Sequence, residues 1–242
     1  MSLSAIRTIA YREVNDTLTD WRILAPMFIL SFILPQLLIA AAGFAIDFVG
    51  DANTIVLLVP FAMLLVGFIP ASFSLITALE TFVGERERNS LESLLAMPIS
   101  DSTLYLGKLI SSLLPPLLSS GVAMSVFAFT LRISRPDLFG PGLTFQFFII
   151  VVLLILAKAV VMVAGAIIIS THTTSVRAAN LLASFVLLPT AAIVQLEALL
   201  MIGRRWDVLL IVVLLLSVIA IALIRTGMGA FNREEILSRE HE

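Results

Sequence analysis

The sequence predicts an all-α membrane protein with six transmembrane helices, and three observations predict it. Of 242 residues, 60% are hydrophobic and only 13% charged, where soluble domains carry about a quarter charged residues. Mean hydropathy is +1.08. The charges are also unmixed: six apolar runs, 23–46, 54–79, 109–131, 143–170, 181–202 and 208–224, contain just Lys158 and Glu197 of the 32 Asp, Glu, Lys and Arg residues. A bilayer core needs about 20 apolar helical residues, so five runs cross with room for tilt, and the short sixth is adequate.

The same numbers exclude several function classes. A net charge of −2 without a Lys or Arg run offers nucleic acid no surface. Without any Cys, disulfides and thiolate metal sites cannot form. The two histidines, His172 and His241, stand far apart, which argues against a His-rich metal site.

Residues 1–22 come first. Arg7, Arg12, Glu13, Asp16 and Asp20 interrupt any signal-peptide core. Leu3, Ile6, Ile9 or Ala10, Val14, Leu18 and Trp21 recur at helical spacing. One apolar stripe with charges opposite predicts an amphipathic helix in the membrane interface, the plainer alternative being a polar extension. With this end cytoplasmic, ten Lys and Arg residues fall inside and four (Arg132, Arg135, Arg204 and Arg205) outside, which places both termini in the cytoplasm.

Within the spans, Pro26, Pro35, Pro60, Pro70, Pro115, Pro116 and Pro189 each remove a backbone donor and favour kinks. Kinked helices suit a cavity-forming transporter, although proline is also common in membrane helices generally. The outer connections, 47–53, 132–142 and 203–207, are short, and the tail 225–242 is polar and reads as an exposed cytoplasmic helix.

Between the second and third spans the loop 80–108 is the most patterned polar stretch. Asn89 can cap a helix while Glu92, three residues on, completes a capping box, and Pro98 ends it after about two turns. Leu91, Leu94 and Leu95 then share one face. So short a helix is unstable alone, so that face is buried against its own bundle or against another protein. In the second case Glu85, Arg86, Glu87 and Arg88 form ion pairs around the knob.

The run 84–100, followed by Leu104, Leu106, Gly107 and Lys108, resembles the corresponding loop of ABC-2 type permeases, the membrane subunits of one class of ATP-binding cassette exporters. There the segment has the form E-(R/K)-E-(R/K)-(G/N)-(T/S)-L-E-x-L-L-x-x-P-(I/V)-S, then Leu-x-x-Gly-Lys entering the third helix. The likeness covers about 25 residues with nearly every position filled, Asn89 standing where Gly is commoner; elsewhere it is one of layout. It implies a permease without a nucleotide site, and Gly107-Lys108 indeed lacks the first Gly and the following Ser/Thr of a phosphate loop. ATP and Mg are then expected in partner ATPase subunits, with no cofactor in this chain. It also implies two permeases, two copies or this chain with a related one, over two ATPases. Carried over, Leu91, Glu92, Leu94 and Leu95 are the coupling contacts, Glu85 and Arg88 their rim, and export from the inner membrane is the direction.

Lys158 lies mid-span, where an unpaired ammonium costs at least about 2.5–3.5 kcal/mol, and Glu197, Gln36 or Gln195 could satisfy it. Such a group reads either as a polar contact on the substrate path or as a pair holding helices in register. Phe61, Phe68, Phe73, Phe127 and Phe185, among many Leu and Ile, would wall a cavity suited to a lipophilic or amphipathic compound. Sodium, associated with some relatives, finds one carboxylate plus hydroxyls and amides. Competing readings are an ATP-independent carrier or channel, for which the two halves show no convincing repeat, a membrane scaffold for a soluble partner, and an intramembrane enzyme, for which His172 at the inner end of a span has no Gly-x-Ser-Gly-like nucleophile loop.

Overall fold

The computed structural model describes residues 3–81, 100–171 and 176–230, and these are helical with no strand among them. Helix α1 runs Leu3–Thr19. Asp20 then caps α2 (Trp21–Val49), its carboxylate accepting the Arg22 N–H at 2.9 Å. Gly50 ends α2 in the left-handed conformation (φ 72°), with its N–H on the Ile46 carbonyl at 2.8 Å.

The second apolar run is not one helix. It divides into α3 (Ala52–Val56) and α4 (Val59–Leu79), with Pro60 in the first turn of α4. There the missing N–H of proline costs nothing, because first-turn donors have no helical partner. Pro26, Pro35, Pro70, Pro115, Pro116 and Pro189, by contrast, sit inside helices that continue through them. Helix α5 (Asp101–Ser134) is followed by the short α6 (Pro136–Gly142), then α7 (Phe145–Thr171), α8 (Val176–Ile202) and α9 (Trp206–Ala230). The turn α6 occupies part of the connection read from sequence as a plain outer loop.

Six segments among the described residues are long and apolar enough to cross a membrane: Trp21–Phe48, Asn53–Leu79, Asp101–Ser134, Phe145–Ser170, Arg177–Ile202 and Trp206–Gly229. At 1.5 Å per residue α5 is about 51 Å long, against a hydrocarbon core of about 30 Å. Its ends therefore emerge into the interfaces.

Helix α4 is the centre of the bundle. It packs on α5 and α7 and, less extensively, on α8 and α2, while α9 covers α7 and α1 lies along α5. Gly67 sets the closest approach, since a Cβ there would overlap Ile155 of α7 and Met124 of α5. Helices α2, α8 and α9 instead turn Phe32, Phe44, Phe185, Leu188, Leu214 and Val218 outward. Apolar on nearly every side, they are dressed for lipid rather than water.

Candidate functional site

Among the described residues, several buried polar side chains lie where helices meet. Near the N-terminal end of α5, Lys108 is fully buried. Its Nζ donates to the Thr81 carbonyl beyond the end of α4 at 2.9 Å and lies 3.4 Å from Glu13 Oε1 of α1. A buried ammonium is tolerated only with such partners. The preceding residue completes the contact: a Cβ on Gly107 would lie 2.9 Å from Ile9 Cγ2. Glycine thus lets α1 approach and lysine bonds it there.

Glu13 corrects the sequence expectation for α1. The side turned to the bundle holds Ile6, Ile9, Ala10, Glu13, Val14 and Thr17, none of them exposed, whereas Leu18 and Trp21 of the apolar stripe are exposed. A carboxylate occupies the packed face because Lys108 waits beneath it. The apolar residues left outside remain free to enter the lipid interface.

Further along α5, hydroxyls tie it to its neighbours. Ser119 and Ser31 of α2 bond through their Oγ atoms at 2.7 Å, and Thr77 of α4 donates to the Ser112 carbonyl at 2.9 Å. Gln36 of α2 donates to Thr130 Oγ1 at 3.0 Å. One helix therefore carries the polar bonds to α1, α2 and α4 alike.

Deep in the bundle, Lys158 of α7 pairs with Glu197 of α8, Nζ to Oε2 at 2.5 Å, both side chains fully buried. The ammonium also stands 4.9 Å from the centre of the Phe68 ring of α4. Glu197 Oε1 has no hydrogen-bond partner among the described residues. The other two partners considered for Lys158 are placed elsewhere. Gln36 is engaged by Thr130, and Gln195, two residues and about 200° around the helix from Glu197, is exposed on the outer side of α8.

Between α2 and α4 lies an apolar groove of about 270 Å³, bounded by Leu38, Ala42, Phe61 and Leu65 and backed by Phe127 and Leu131 of α5. The coupling candidates Glu85, Arg88, Leu91, Glu92, Leu94 and Leu95, and His172, lie outside the described residues. Lys108 and Glu13 were not singled out from sequence as site residues. The available signal was Lys108 closing the Leu-x-x-Gly-Lys run at the mouth of a span, where its charge counted toward orientation alone.

Six apolar crossings, a helix docked at one end and buried charges held to two helix contacts among the described residues define a multi-pass helical membrane protein with a polar node where α1, the end of α4 and the start of α5 meet. Residues 4–193 match the family model described as ABC-2 type transporter. That is more than three-quarters of the 242 residues, and the chain belongs to this family. It is a permease component of a transporter. No curated protein matches the sequence.

Proposed function

We propose that this permease works as the membrane half of an ATP-driven exporter, two permeases resting on separate ATPase chains that bind ATP and Mg. The six-span body is 23–224, the interfacial helix 1–22 and the tail 225–242, with both termini on the cytoplasmic side of the inner membrane. Leu91, Glu92, Leu94 and Leu95 seat in the ATPase, and Glu85 and Arg88 flank them.

The single observation that carries this reading is the Lys108 node. It joins α1, the end of α4 and the start of α5 just where the chain enters and leaves the segment 82–99. In this reading a push arriving through that segment reaches the Lys108 node first. It passes into α5, a 34-residue helix bonded to α2 and α4 along its length. Rigid elements of this kind are what transmit a displacement across a packed bundle.

For the transported compound, the groove between α2 and α4 supports a lipophilic or amphipathic molecule, because its walls are aliphatic and aromatic. The test is purification in gentle detergent from native membranes, identifying any soluble protein held in stoichiometric amount. A co-purifying ATPase supports the exporter. Its absence, from membranes rich in the folded chain, favours a carrier or a scaffold.

A further inference from the structure

At the end of α5 remote from Lys108, a cleft of about 330 Å³ opens between α2 and α5, lined by Ala40, Gly43, Phe44 and Asp47 on one side and Ser134 and Arg135 on the other. The 27 residues separating Lys108 from Arg135 place them about 40 Å apart along the helix, more than the hydrocarbon thickness of about 30 Å. The cleft therefore lies at the membrane boundary on the face opposite α1.

Arg135 is distinguished from the other arginines at this end. Arg132 lies against the Phe139 ring at 5.7 Å, and Arg205 pairs with Asp207 at 3.2 Å. Arg204 is exposed. Arg135 alone is partly buried while its guanidinium has no acceptor among the described residues. Gly43 makes this position available: a Cβ there would lie 3.0 Å from Arg135 Nη2, so a larger residue displaces the guanidinium from α2. Asp47, one turn beyond Gly43, lines the same cleft without closing an ion pair to it.

We propose that this cleft holds the headgroup of a membrane phospholipid bearing a phosphate and a primary amine, of the phosphatidylethanolamine type. A guanidinium with no acceptor among the described residues presents its fork of N–H donors to phosphate oxygens, and Ser134, which lines the same cleft, offers a hydroxyl as a further donor. Asp47 repels a headgroup that is anionic throughout but accepts hydrogen bonds from an ammonium. Phe44 and Ala40 continue the lining toward the apolar flank of α2, where Leu37 and Ile33 are exposed and an acyl chain can lie.

The test reconstitutes the full chain in mixed phosphatidylethanolamine and phosphatidylglycerol nanodiscs, releases it into detergent and counts retained lipids by native mass spectrometry. Wild type is expected to retain phosphatidylethanolamine in preference. Arg135→Gln lowers retention about tenfold, as loss of a charge-assisted contact should, and Arg204→Gln leaves it unchanged. Asp47→Asn keeps lipid but shifts preference to phosphatidylglycerol. Gly43→Val, which retains both charges and displaces the guanidinium, reproduces the Arg135→Gln loss if the variant's thermal unfolding matches wild type. Undiminished retention in Arg135→Gln, equal losses in Arg135→Gln and Arg204→Gln, or a wild-type preference for phosphatidylglycerol overturns the assignment. So does binding of O-phosphoethanolamine to the detergent-solubilised chain as tight as that of intact phosphatidylethanolamine, which would make the ligand a soluble phosphate ester.

Discussion

Two buried lysines carry most of what single residues decide here, and their settings differ. Lys158 and Glu197 neutralise one another inside the bundle, with one carboxylate oxygen left over. Removing one partner of a buried pair strands the other, at about 3–5 kcal/mol, whereas replacing both with apolar residues is often neutral. Lys158→Met should therefore lower stability by that amount, and Lys158→Met with Glu197→Met should recover most of it, read by thermal unfolding in detergent. A double variant as unstable as the single one would mean that the charges are not the source of the effect. If transport survives in a Lys158→Met protein that still folds, the pair is a register device and not part of a path. Lys108 is held differently, because its partner Glu13 keeps 16% exposure and can find water. Lys108→Met should cost less, about 1.5–3 kcal/mol, the range for a hydrogen bond to a charged group. Its more specific effect is faster amide exchange in α1.

Among the helices, α1 and α5 form the contact most open to test. The Ile9 side chain fills the space above Gly107, so Gly107→Val forces α1 away and Ile9→Ala makes room for it again. Hydrogen exchange across α1 should rise in Gly107→Val and fall back toward wild type in the double variant. Additive effects would show that the two residues do not meet. This docking was only partly legible in the sequence. The amphipathic spacing of α1 is local and readable, but the place of Glu13 on its packed face depends on Lys108, 95 residues away. The six spans were readable for the opposite reason: each is apolar over a bilayer's thickness and needs no partner to be recognised. Pro60 shows the boundary between the two cases. Its effect on backbone bonding follows from its chemistry, yet whether it kinks a helix or begins one depends on the turn before it.

At the scale of the whole molecule, the arrangement is a bundle centred on α4 with one long helix, α5, bonded to α1, α2 and α4 and beginning at Asp101, just after the segment 82–99. The likeness of residues 84–100 to permeases was legible because the motif is contiguous in sequence, while the Lys108 node was not, since it joins three segments distant in sequence. In the proposed exporter this node receives force from an ATPase through the face bearing Leu94. The most direct measurement is ATP hydrolysis by the co-purified ATPase, with the permease reconstituted in lipid as wild type and as Leu94→Asp. A carboxylate on the seating face is expected to abolish permease-dependent stimulation while leaving the thermal unfolding of the bundle unchanged. Stimulation equal to wild type in the folded variant would mean that Leu94 takes no part in coupling to an ATPase.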